Sequence, residues 1–325
     1  MAQTEISEKS PGKSAKLMST CGALRRCAAA VYYKEKMEQK ILTVKENTQI
    51  AKDVYRLILT GDIEDHFPGQ FVNIKIPGKY LRRPVSVCDY AGGVLTLCYK
   101  AVGEGTKILS TLQTGEKLDV LTGLGNGYDL SSPGNAPLLI GGGMGAAPLF
   151  YLAKTLKEEY TSLEVVIGFN SQNDIFYKEE FENLGCHLKI STVDGSVGIK
   201  GFVTEILPQK YSSFFACGPL PMMKAVNKAV NTSGQFSFEE RMGCGFGACM
   251  GCSIKVKPAP APGGAPASES QAAVKNGNPP ATDSEFQIKN SEFQIPDSEL
   301  KTPVLYKRIC TDGPVFKREE IIWED

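Results

Sequence analysis

The chain has 325 residues, 42% hydrophobic and 22% charged, enough for two domains and a smaller third. Lys plus Arg balance Asp plus Glu at 36 each, which argues against nucleic acid or an acidic membrane surface as a partner. Within the longest uncharged run, residues 136–153 hold three consecutive glycines and an internal Pro, so no membrane span is expected.

Residues 1–36 read as a disordered extension, or as sequence upstream of a true start at Met37. Their basic, Ser- and Ala-rich character is weakly that of a transit peptide, but Glu5 and Glu8 oppose that reading. Over residues 37–134, "VYRLILTG", "GQFVNIKIP", "RRPVSVCDY" and "VLTLCYKAV" are short β runs broken by Gly, Pro and Asp. They predict an antiparallel barrel or sandwich, with one helical break at 105–115. Over residues 135–236, strand and helix patterns alternate from "APLLIGGG" to "LPMMKAVNKAV". That rhythm predicts a doubly wound parallel sheet of four or five strands. Residues 237–325 read as a small cysteine-bearing domain. It is interrupted at 257–300 by a Pro/Ala/Gly/Ser segment and the tandem "SEFQIKN SEFQIPD", an expanded loop or, less simply, a partner-binding strand peptide.

Ten cysteines are present, too few and too uneven for a disulfide-built secreted domain. A reducing compartment, the cytoplasm, is expected. Cys88, Cys98, Cys186 and Cys217 stand singly. Cys244-x4-Cys249-x2-Cys252 is the spacing of plant-type 2Fe–2S sites, and its glycines let a backbone wrap a cluster and aim N–H groups at sulfur. Cys310, in "YKRICTDGPVF", is the expected fourth ligand, since loop closure costs grow only logarithmically with length. A structural zinc knuckle in a flavin-free interaction module is the alternative.

Gly141, Gly143 and Gly145, in "LLIGGGMGAAP", follow a strand and open a helix, where backbone amides would receive a dinucleotide phosphate. The acidic residue expected at the next strand end is absent, because Asn170 stands there. No Arg cluster follows either, so NAD is preferred over NADP. Cys217 sits at a later strand end in "FFACGP". His66 and His187 join no constellation, no Ser/His/Asp set appears, and Trp323 reads as packing.

Arg83-Pro84-Val85-Ser86 is similar to the flavin signature of ferredoxin–NAD(P)+ reductase-like proteins, with Val85 where their pattern has Tyr. Gly105 and Thr106 in "GEGT" would open a helix facing a pyrophosphate. With GGGMGAAP, ACGP, the cysteine loop and "CTDGPVF", the chain resembles the electron-transfer subunits of NAD-dependent (class B) dihydroorotate dehydrogenase, from about residue 38 to the end except 257–300. The resemblance implies a flavin-binding β-barrel, an NAD-binding α/β domain and a 2Fe–2S domain. It implies FAD held by Arg83, Pro84, Val85, Ser86, Cys98, Tyr99, Lys100, Gly105 and Thr106, with Cys217 beside the nicotinamide. It further implies a cluster on Cys244, Cys249, Cys252 and Cys310, NAD as acceptor, and an FMN-containing catalytic partner in a heterotetramer of two of each. The long insertion before Cys310 departs from the family pattern. A diaphorase-type subunit of a ferredoxin:NADP+ reductase, hydrogenase or sulfite reductase is the neighbouring alternative.

Overall fold

The computed structural model describes residues 37–258 and 304–324. The N-terminal extension, and the 257–300 insertion with its SEFQI duplication apart from residues 257 and 258, lie outside the described residues.

Six strands close into a barrel: β1 (Glu38–Ala51), β2 (Val54–Thr60), β3 (Phe71–Ile74), β4 (Arg83–Ala91), β5 (Val94–Lys100) and β6 (Lys117–Leu124). They bond in the order β1-β2-β5-β4-β3-β6, every pair antiparallel. The period-2 alternation seen in sequence does the sorting. Leu57 and Leu59, Leu95 and Leu97, and Leu118 and Val120 turn inward and fill the barrel. The helical break is one short helix, α1 (Glu104–Leu109). It ends before the expected boundary because the N–H groups of Thr111 and Leu112 bond back three residues, to the Ile108 and Leu109 carbonyls, in place of the helical pattern.

The second body is a seven-stranded sheet built from β7 (Pro137–Gly142), β8 (Glu164–Phe169), β9 (His187–Thr192), β10 (Ile199–Lys200), β11 (Ser213–Cys217), β12 (Gly234–Ser237) and β15 (Val315–Lys317). Its order is β10-β9-β8-β7-β11-β12-β15; all neighbours are parallel except β15 against β12. Two strands exceed the expected four or five. β10 has two residues, too few to carry a pattern, and β15 comes from beyond the insertion, so only tertiary pairing makes it a strand of this sheet.

Three helices pack on the sheet: α2 (Ala146–Lys157), α3 (Lys178–Asn183) and α4 (Leu220–Ala229). α2 buries Leu149, Leu152, Ala153 and Leu156, the i, i+3, i+4, i+7 stripe of an amphipathic helix. It also joins the two bodies. Lys154 gives both carboxylate oxygens of Asp89, on β4, a hydrogen bond at 2.9 Å. The Cys88 thiol donates to the Ala147 carbonyl at 3.0 Å, within a buried cluster that holds Val54 and Cys98 of the barrel.

The remaining strands, β13 (Ser253–Val256) and β14 (Leu305–Arg308), form an antiparallel hairpin across the insertion, Val256 facing Leu305. Trp323 anchors this end, its ring 4.9 Å from Phe236 and 5.9 Å from Phe238. Because the hairpin closes the ends of the insertion, residues 259–303 should be dispensable for the fold. Cutting them to a four-residue turn is about three and a half halvings of loop length, worth roughly 2 kcal/mol of closure entropy. A higher Tm and unchanged iron loading are expected. Lost iron would show that the segment takes part in the site.

Candidate functional site

The sheet reverses its winding beside β7, since β8 lies on one side and β11 on the other. Ligands of such sheets bind outside the strands' carboxyl ends at this point. Here two glycine-rich turns meet. A Cβ on Gly145 would stand 2.1 Å from the Cys217 carbonyl oxygen and 2.7 Å from the Gly218 nitrogen, so only Gly lets the turns touch. Gly143, at φ +53° with no atom within 4 Å of a built Cβ, faces open space. A cavity of about 420 Å³ opens here, and Gly142, Gly143, Met144, Pro219 and Met222 are among the residues that line it. Cys217 does not line it. Its side chain is fully buried, and burial first, then the Glu239 carboxylate, push its thiol pKa well up. The position contributes backbone to the turn and holds no ready thiolate.

On the barrel, two adjacent arginines play different parts. Arg82 is tied to the Asp119 carboxylate at 2.9 Å and to the carbonyls of Asn73 and Asp119. Arg83 donates to the carbonyls of Leu81 (2.8 Å) and Arg82 (3.3 Å), with no carboxylate partner among the described residues. Its guanidinium lies over Gly105, where a Cβ would approach Nε to 2.8 Å. Thr106 is occupied locally, its hydroxyl accepting the Gly103 N–H at 3.1 Å. Val85 points into the barrel core, while Ser86 stays part-exposed beside it.

Three positions grouped by the resemblance separate. Tyr99 is stacked on Tyr55 with centroids 5.6 Å apart, its hydroxyl donating to Asn47 at 2.9 Å. Cys98 is buried, its sulfur 3.6 Å from that of Cys88 and 3.5 Å from the Tyr177 hydroxyl. Of the three, only Lys100 reaches the cavity.

The cysteine loop leans on the barrel: Asn73 of β3 donates to the Cys244 carbonyl at 3.1 Å. Asn73 in turn faces Pro84 in the β3–β4 register. The loop therefore sits one strand away from Arg83–Ser86. The thiols gather two by two. Cys249 lies beside Cys244, and Cys252 beside Cys310. The second pairing is set by the Ile309 N–H, which donates to the Cys252 carbonyl at 2.9 Å. Among the described residues, no three His, Cys, Asp or Glu side chains converge on one point.

Burial opposes the Cys244 thiolate, yet the backbone N–H groups of Phe246, Cys249 and Ala248 and the Cys249 thiol outweigh it, bringing its pKa to about 6. Cys310 goes the other way. Burial, then Cys252, push it up to about 12 against the lowering effect of the Gly247 N–H. Four soft sulfur donors in pairs, with N–H groups aimed at one of them, fit a two-iron cluster.

Residues 139–228 match the family model for an oxidoreductase NAD-binding domain, and residues 239–261 match the iron-sulfur cluster binding domain of dihydroorotate dehydrogenase B. The dihydroorotate dehydrogenase B (NAD(+)) electron transfer subunit of Bacillus pumilus (strain SAFR-032) is 38% identical over 298 residues, 88% of this chain and 98% of that protein. Its counterpart in Fusobacterium nucleatum subsp. nucleatum is 42% identical over 231 residues, 66% of this chain and 89% of that protein. The chain belongs to this family.

A solved NADH-dependent reduced ferredoxin-NADP oxidoreductase superposes with a TM-score of 0.66 at 26% identity, covering 87% of this chain and 90% of that one. As an electron transfer subunit of dihydroorotate dehydrogenase B, the chain is an NAD-dependent oxidoreductase component working with FAD, a 2Fe–2S cluster and NAD. Among the described residues no helix is long and apolar enough to cross a membrane.

Two contributors escaped the sequence reading. Asn126, in the turn that follows β6, clips "CTDGPVF" in place: it donates to the Val315 carbonyl at 2.8 Å and accepts the Val315 N–H at 3.1 Å. Asn73 was hidden because nothing local marks a strand residue as a bracket for a loop far away in sequence.

Proposed function

We propose that this subunit carries electrons from a dihydroorotate-oxidising, FMN-containing partner to NAD+, serving the dihydroorotate-to-orotate step of pyrimidine biosynthesis in the cytoplasm. The assembly we envisage is a heterotetramer of two of each subunit. The observation that carries the reading is the contact of Asn73 with Cys244, which supports placing the thiol quartet within one strand of the flavin-type signature. We read 37–134 as the FAD barrel, 135–236 as the NAD domain and 237–325 as the cluster domain.

In this reading Arg83 neutralises the flavin diphosphate, and Ser86 hydrogen-bonds the flavin ring. Pro84 and Val85 shape that strand end, Gly105 leaves room for Arg83, and Cys98–Lys100 flank the flavin. Gly141, Gly143 and Gly145 admit the dinucleotide phosphates. Cys244, Cys249, Cys252 and Cys310 would hold the cluster, and the N–H groups around Cys244 would stabilise its added negative charge. When bound, the cluster supplies single-electron carriage, and the flavin supplies exchange between single electrons and hydride.

The test is co-purification with the catalytic subunit and assay of dihydroorotate-dependent NAD+ reduction. This chain alone should oxidise NADH with an artificial acceptor and leave dihydroorotate untouched. A colourless protein after anaerobic purification would sink every redox reading and favour the zinc module. The likeness to the NADH-dependent reduced ferredoxin-NADP oxidoreductase supports a second reading, a diaphorase-type subunit. Capture of a ferredoxin-linked partner, with no dihydroorotate activity, would select it.

A further inference from the structure

The cavity wall is not all glycine and apolar side chains. Asp174 and Lys100 both line its wall. Asp174 lies in a 3-10 turn (Gln172–Asp174) just past β8, and its carboxylate is oriented by the Ser171 hydroxyl at 2.9 Å. Lys100 reaches it from the barrel, Nζ 3.5 Å from Oδ1. Lys100 is the only cation among the residues lining the cavity, and no arginine lines it.

Dinucleotide folds choose between NAD and NADP at this end of the sheet. A carboxylate takes the ribose 2′-hydroxyl, whereas a cation takes the 2′-phosphate. The strand end itself offers Asn170. The acid comes four positions later, supplied by the turn and visible only once the turn folds back over the cavity.

We propose that Asp174 makes this site selective for a dinucleotide with a free 2′-hydroxyl, and that its ion pair with Lys100 withholds the one cation able to accept a 2′-phosphate. The proposal rests on the cavity being the NAD site. A phosphate brought to Asp174 would meet like charge in a part-buried setting, a penalty of about 10²- to 10³-fold in affinity. Removing the carboxylate lifts that repulsion and frees Lys100 at once.

The experiment uses the full chain loaded with FAD and cluster, comparing kcat/KM for NADPH and NADH with ferricyanide as acceptor. Asp174→Ser should raise the NADPH/NADH ratio about 100-fold, chiefly through a lower KM for NADPH. Asp174→Glu should keep the NADH preference, and adding Lys100→Met to Asp174→Ser should erase most of the gain. A loss of flavin caused by Lys100→Met would affect both coenzymes alike, so the ratio stays informative.

Calorimetric titration with adenosine 2′,5′-bisphosphate against AMP reads the same preference without turnover, and should shift in parallel. A ratio within threefold of the parent in Asp174→Ser, by both measurements, overturns the proposal. A gain that survives Lys100→Met overturns the part assigned to Lys100. If the parent chain neither oxidises NADH nor binds AMP, the reading of the cavity as the NAD site falls, and the proposal with it.

Discussion

Cys310→Ser is expected to bring iron content close to zero and to remove the cluster's visible absorption, while FAD stays bound. A 2Fe–2S site takes four thiolates, and a harder serine oxygen is a poor substitute for soft sulfur. The backbone points to this residue, because the Ile309 N–H on the Cys252 carbonyl sets Cys310 beside Cys252. Dihydroorotate-dependent NAD+ reduction with the partner should fall by about 10²-fold or more, in line with loss of a whole carrier. NADH oxidation with ferricyanide should survive. Cys186→Ser is the control: that buried cysteine is remote in chain and pairing from the quartet, and iron should be unchanged. Full iron occupancy in Cys310→Ser would show the long-range ligand to be misassigned.

Arg83→Ala should weaken FAD binding by about 30- to 150-fold, corresponding to about 2–3 kcal/mol for a charge-assisted contact with a diphosphate. Flavin fluorescence titration of the apo-flavin protein measures it directly. The neighbouring Arg82→Ala provides the contrast, since Arg82 already spends its guanidinium on Asp119 and two carbonyls. Its loss should lower stability and leave FAD affinity within a few-fold. Should Arg83→Ala bind FAD as well as the parent, the diphosphate lies elsewhere.

These two arginines also mark how far local sequence reaches. RRPVS locates a cation at a strand start, but which of the two is free depends on Asp119, delivered by β6. Val85 stands where the reductase pattern has Tyr, and only the fold shows it buried in the barrel core, alternating along β4 with the part-exposed Ser86. The acid missing at Asn170 is present in the fold as Asp174, on the same cavity.

By itself, the sequence determined what periodicity and spacing encode. Alternating apolar residues dictated barrel strands, a 3.6-residue stripe dictated α2, and the C-x4-C-x2-C run with Gly-rich turns dictated the classes of chemistry. Those signals are local because they arise from backbone geometry within a few residues. Tertiary structure alone decided that β15 completes the seven-stranded sheet, that Asn73 holds the cysteine loop beside the strand of Arg83–Ser86, and that Lys100 meets Asp174 across two bodies. Each of these joins residues far apart in the chain. Their contact is set by how the elements pack, and no short window of sequence carries that information.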